Sequence, residues 1–215
     1  MAPVPTTLAA MHHQPQRRIR QALAVIVGLT FAGLAHADWL LMQRVTNSQG
    51  QVRPAYTWVG ENRLRYDDGR MTLIADAHSG QLRVYDHETK TVDSRQLPRP
   101  MAPATADFVP EQSSRFRQWP VEHYVLRKRQ LHIEVASSEH LPPLLIEQYK
   151  RMMHAVGAGA DARVNALPGI PLIITVTDAT TGALLNRREV LSVVQRTPHA
   201  ATYRMPSGYR SLNAE

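Results

Sequence analysis

The chain has 215 residues, a net charge of +7, 20% charged and 6% aromatic residues, and no cysteine. Disulfides, thiol nucleophiles and an acylated lipoprotein amino terminus are therefore excluded, and the fold rests on an apolar core alone. The basic excess is modest and its arginines are dispersed, which argues against a nucleic-acid binder with a basic stripe.

The first readable element is an export signal. Arg17, Arg18 and Arg20 form a basic head, Ala22 to Leu34 an uncharged apolar stretch, and Ala35-His36-Ala37 a small-x-small cleavage site. The apolar stretch is roughly 13 residues, too short for a helix that must cross ~30 Å of hydrocarbon at 1.5 Å per residue. The Arg17-Arg18 pair lacks the apolar residues that a twin-arginine signal places after it, so the general secretory route is expected. Residues 1–37 are thus read as a signal peptide and residues 38–215 as one domain in the periplasm, without a stable membrane span once the signal is removed. Three arginines and no acids precede Asp38, so the remaining 178 residues carry a charge of +4, enough for one domain with an ordinary core.

After Asp38 the dominant pattern is alternation with a period of two, broken by short turns. Leu64 and Tyr66 alternate with Arg63 and Arg65, and Asp67-Asp68-Gly69 follows as a hairpin signal. Met71, Leu73 and Ala75 form the next apolar row, then His78-Ser79-Gly80, then Leu82 and Val84, then Asp86-His87-Glu88 and a weaker strand over Thr91 to Leu97. Turns about every ten residues predict an antiparallel meander with one dry and one wet face. Under this reading Arg44, Arg53, Arg63, Arg65, Arg70 and Arg83 decorate solvated strand faces. Pro98 to Ser114, with four prolines, reads as a long surface loop. Val121 to Arg127 and Leu131 to Val135 read as strands.

The one long helix is predicted over Leu144 to Val156. Pro142 and Pro143 stand at its start, where a missing N–H costs nothing. Leu145, Tyr149, Met152 and Val156 form one apolar stripe, opposite Glu147, Gln148, Lys150 and Arg151. Two long strands, around Ile170 to Val176 and Leu184 to Arg196, follow across the turn Asp178 to Gly182. A short terminal element spans Tyr203 to Pro206. The expected fold is mainly β (α+β): a curved antiparallel sheet or unclosed β-barrel with one main helix on its concave face.

Signals for catalysis are weak. Gly157 to Ala162 matches a dinucleotide fingerprint in letters, but it ends a helix where the phosphate mechanism needs it to open one. No two of the seven histidines after Asp38 have local metal-pair spacing. His123 with His132, on adjacent strands, is the one cross-strand pair worth testing. There is no G-x-S-x-G elbow, and Asp67-Asp68 is explained by its turn. No enzyme, metal or cofactor is expected. The alternative role is an apolar groove, with Trp39, Trp58, Leu145, Tyr149, Met152 and Met153 as the candidate ligand-binding residues. Methionine suits such a groove because it adapts its shape to its contacts.

Several stretches together resemble a known group. They are Asn62 to Arg65, Met71 to Asp76, Val84 to Thr91, Leu167 to Leu172 and Tyr203 to Tyr209. In these the chain resembles DUF4412 envelope proteins, which look like the LolA/LolB lipoprotein carriers and the periplasmic regulator RseB. The resemblance implies a LolA-like unclosed barrel with a helical lid over an apolar cavity. It implies a non-enzymatic periplasmic protein whose partner is a lipid, acyl chain or lipoprotein. The alternative is an envelope sensor or partner-binding protein that uses an envelope protein as its partner, contacted through the Pro98 to Ser114 loop; a hydrolase with a dispersed site is the weakest reading.

Overall fold

The computed structural model describes residues 37–97, 107–156, 162–204 and 206–212. Residues 1–36 of the signal segment, the prolines at 98, 100 and 103, and the glycines at 157 and 159 lie outside these residues. Twelve strands form one sheet among the described residues. Their bounds are β1 Asp38–Asn47, β2 Val52–Val59, β3 Arg63–Asp67, β4 Met71–Asp76, β5 Gln81–Asp86 and β6 Thr91–Gln96. The remainder are β7 Val109–Phe116, β8 Trp119–Arg127, β9 Leu131–Ser138, β10 Ile170–Asp178, β11 Leu184–Arg196 and β12 Arg210–Ser211. Between β9 and β10 lie α1 (Pro143–Val156) and α2 (Ala162–Ala166).

The hairpins share one device. A carboxylate or amide at the end of a strand accepts hydrogen bonds from the backbone N–H groups of the turn. Asp76 Oδ1 takes those of His78 and Ser79, Asp86 Oδ1 those of Glu88 and Thr89, and Asp178 Oδ1 those of Thr180 and Thr181. Such Asx turns replace bonds that the ladder no longer supplies. Four residues after each aspartate the chain needs a positive φ, which Gly80 and Gly182 supply without strain; Lys90 takes the same conformation at the third hairpin.

Two meanders meet in the middle of the sheet. β1 pairs with β2 on one side and with β11 on the other, both antiparallel. The order outward from β1 is β2 to β6 with β12 added, and outward from β11 it is β10, β9, β8 and β7. Only β12 runs parallel to its neighbour, β6. The sheet is mainly antiparallel, large and unclosed, as the alternation predicts.

The helical excursion sits inside what would otherwise be the β9–β10 hairpin. The Pro142 carbonyl accepts the N–H of Ile146, so the proline pair does open α1. The predicted stripe of Leu145, Tyr149, Met152 and Val156 is buried. Its first half packs with Leu41, Val59, Val121, Leu172 and Val190, and its second half with Leu64, Ala75 and Leu82. Val164 and Leu167 join a third cluster with Leu126, Ile133 and Val135. Thus α1 and α2 cover one face of both meanders. The excursion closes at Gly169, whose φ is +69° and where a Cβ would stand 2.0 Å from the Ser138 carbonyl oxygen.

Two expectations are corrected. Val109 to Ser114, read as part of the Pro98 to Ser114 loop, belong to strand β7, which pairs with β8 and is exposed along nearly all its length. An edge strand is held by backbone bonds on one side and needs no apolar row, so its polar sequence carries no alternation. Its proline, Pro110, sits at a register irregularity, where an edge tolerates it.

The second correction concerns the wet face. Leu40, Ile74 and Tyr85 point away from α1 by register, yet all are buried. The chain after β11 folds back over this face. Arg65 donates to the Thr202 carbonyl at 2.9 Å, the Arg63 guanidinium stands 4.5 Å above the Tyr203 ring, and Tyr209 meets Tyr85 edge-on at 5.3 Å. Of the other arginines read as solvated, Arg53 bonds Asp68 at 2.8 Å and Arg44 bonds Glu189, a carboxylate that Arg187 also engages.

Candidate functional site

Strand alternation decides what faces α1. On β2 these are Ala55, Thr57 and Val59; on β3, Leu64 and Tyr66; on β4, Leu73 and Ala75. On β11 the buried Val190 fixes the phase, so Arg188, two residues earlier, faces the helix as well. Its flanking residues Arg187 and Glu189 face the other way. Arg188 is registered against Val45 on β1 and Ile174 on β10, so it rises from an apolar row.

Here α1 and α2 do not fill the space above the sheet. A cavity of about 130 Å³ lies among Thr57, Leu64, Tyr66, Leu73, Tyr149, Met153, Val156, Val164, Asn165, Ile174 and Arg188. Six of these side chains are aliphatic or Met and form most of the wall. The volume is close to the ~150 Å³ of an engineered apolar cavity that accepts benzene, and below the ~300–1,000 Å³ of pockets for drug-sized ligands. At this wall Met153 is half-buried and Tyr149 buried.

Tyr66, Tyr149 and Arg188 bring polar groups to this lining. Burial pushes the Tyr66 hydroxyl up to about 12, reinforced by the nearby Asp68 carboxylate and opposed by Arg188. Burial also raises the Tyr149 hydroxyl, while the adjacent Arg188 guanidinium pulls it down and hydrogen-bonds with it. Both tyrosines stay neutral at ordinary pH and serve as hydrogen-bonding groups. Asp68 stands 3.3 Å from the Tyr66 hydroxyl. Burial would raise its own carboxyl, but the Met71 and Arg70 backbone N–H groups and Arg53 outweigh this and hold it low.

The six candidate ligand-binding residues separate in space. Tyr149 and Met153 line the cavity. Leu145 and Met152 lie behind it in fully packed core. Trp39 is half-buried against the cluster beneath the first turns of α1. Trp58 is on the opposite face, where it lines an open depression with Tyr56, Arg65, Asp67, His199, Ala201 and Thr202. The residues missed in the sequence are Arg188, Tyr66 and the aliphatic wall Leu64, Leu73, Val164 and Ile174. The phase of Val190 was the available signal for Arg188, obscured by the charged run Arg187 to Glu189.

The histidine pair does not assemble. His123 is registered opposite Ala136 and His132 opposite Arg127, and they bond Ser114 and Glu134 respectively. Among the described residues no group of three or more His, Asp or Glu is placed to hold a metal ion. Also among these residues, no helix is long and apolar enough to cross a membrane.

No family model and no curated protein matches the chain. Solved structures do. An uncharacterized conserved protein from Thermus thermophilus is 13% identical, with a TM-score of 0.52 over 89% of this chain and 99% of that one. The two share a fold. MucB is 11% identical, with a TM-score of 0.45 over 80% of this chain and 58% of that one. The LolA superfamily protein NE2245 from Nitrosomonas europaea is 9% identical, with a TM-score of 0.29 over 80% of this chain and 91% of that one.

Proposed function

We propose that residues 1–37 export the chain to the bacterial periplasm and that residues 38–215 act there as a non-enzymatic binding module. On this reading the module is LolA-like and allied to DUF4412, and it takes a lipid, acyl chain or lipoprotein acyl group beneath α1. The observation that carries the reading is the cavity itself. Its wall is mostly aliphatic, it lies between a helix and two meanders, and it is left open where a core of this size is ordinarily close-packed. Tyr149 and Met153 would contact the ligand, with Leu145, Met152 and Trp39 supporting them. A volume of about 130 Å³ admits only a short length of chain, so a longer acyl group requires α1 to move away from β3 and β4.

The test is native mass spectrometry of protein purified from the periplasm, followed by titration with a fluorescent fatty acid. The reading predicts a co-purifying mass of acyl size or saturable uptake of the probe. Protein that is ligand-free and takes up no probe contradicts it.

A second reading, an envelope sensor or partner-binding protein, is favoured by β7. This strand is exposed along an open sheet edge, and such an edge can accept a strand from a partner. Proline substitutions on the outward N–H groups of β7 would abolish binding of an envelope partner by strand addition. Retention of that partner by the variant contradicts the second reading.

A further inference from the structure

We propose that the ligand is a single-chain acyl carboxylate, its head group held by Arg188 and Tyr149 and its chain lying in the cavity beneath α1. This rests on the binding reading above and adds the chemistry of the head group.

Arg188 differs from the arginine beside it on β11. Its neighbour Arg187 is paired with Glu189 on the far face, as is Arg44. Arg188 points the other way, between Val45 and Ile174, and among the described residues no carboxylate forms an ion pair with it. Arg188 is half-buried, so its guanidinium gives up part of its hydration beside the aliphatic wall, a cost that a bound anion would offset. The Asp68 carboxylate is already paired with Arg53 at 2.8 Å and engages the Tyr66 hydroxyl at 3.3 Å. The Tyr149 hydroxyl can accept from Arg188 while donating its own proton to an incoming oxygen. A planar carboxylate fits this pair, because the guanidinium fork offers it two parallel donors.

The chain length follows from the volume. A cavity of about 130 Å³ is close to the ~150 Å³ that accommodates the six carbons of benzene. With the carboxylate and its first methylene at Arg188, an acid of about eight carbons fills the site.

The test compares octanoate with 1-octanol by titration calorimetry at pH 7, on the wild type and on the Arg188→Gln and Tyr149→Phe variants. The two probes share a chain and differ in charge. Octanoate is expected to bind the wild type about 10- to 100-fold more tightly than octanol, the range for a hydrogen bond to a charged partner. In Arg188→Gln that preference disappears while octanol binds as before, which also shows that the cavity is intact. In Tyr149→Phe the preference shrinks. Equal binding of the two probes by the wild type, or an undiminished preference in Arg188→Gln, overturns the proposal and leaves the binding reading in place. If neither probe binds, this proposal is overturned, while the fluorescent fatty acid titration decides the binding reading separately.

Discussion

The Tyr203 hydroxyl donates to Asp38 Oδ2 at 2.6 Å, tying the returning carboxy-terminal segment to the first residue of β1. Asp38 is buried there, and Gly60 packs so closely that a Cβ would stand 2.9 Å from its carboxylate. The strand that would begin at the cleavage site is therefore capped by the far end of the chain. Tyr203→Phe leaves a buried carboxylate short of one donor and should cost about 1–3 kcal/mol in urea unfolding. An unchanged midpoint would show that the segment is not fastened at this point. Burial first, and then Asp38, raise the Tyr203 hydroxyl. Its contribution is thus complete below the ordinary tyrosine value of 10.0 and is lost as the pH climbs beyond it.

Gly169 offers a sharper test of how the helical excursion rejoins the sheet. Its positive φ disfavours any side chain, and the added methyl would overlap the Ser138 carbonyl at 2.0 Å. Gly169→Ala should destabilise by more than about 2 kcal/mol, since strain and backbone displacement act together. Gly50 also has a positive φ but has nothing within 4 Å of a Cβ, so Gly50→Ala should cost only about 1 kcal/mol. Equal effects at the two glycines would contradict the close approach.

Acid should unfold the domain through identifiable carboxylates. Asp67, Asp68 and Glu189 are all held below their ordinary values, because burial of each is outweighed by hydrogen bonds from backbone N–H groups or arginines. The unfolded chain therefore binds more protons at low pH. Their stabilisation is full above the unfolded values of 3.8 and 4.5 and falls away as the pH drops through the lower folded values. Urea midpoints measured from pH 7 to pH 2 should fall below about pH 4, and Asp68→Asn should flatten that fall. A variant with the same pH profile as the wild type would remove Asp68 from the account.

The two ends of the α1 stripe should behave differently. Leu145 is fully enclosed, so Leu145→Ala should cost about 2–5 kcal/mol through lost transfer and a new void. Met153 already borders empty space, so Met153→Ala should cost less than Leu145→Ala in thermal unfolding while weakening acyl uptake. The reverse order would place the open volume elsewhere.

Much of this architecture is legible in the residues, and the reasons are local. Leu64, Tyr66, Leu73, Ala75 and Leu82 alternate because one face of the first meander is dry, and Leu145, Tyr149, Met152 and Val156 repeat because α1 buries one stripe. What escaped is set by distant partners. Arg63 and Arg65 look solvated until Tyr203 and Thr202 arrive from more than 130 positions away. β7 is invisible because an edge strand is specified by its neighbour's backbone, not by its own apolar pattern. Trp58 reads as a groove residue by composition, but its register opposite Leu40 and Arg65 turns it to the far face. The cavity depends on how far α1 stands from β3, which no spacing of residues encodes.

The central claim is that the space under α1 receives an acyl chain, and one titration tests it directly. A dansyl-labelled fatty acid is added to the wild type and to Val164→Phe, in which a ring replaces a small side chain of the cavity wall. The account predicts saturable one-to-one binding to the wild type, at least tenfold weaker in Val164→Phe with its circular dichroism unchanged. Absence of saturable binding, or equal binding by the filled variant, would contradict it.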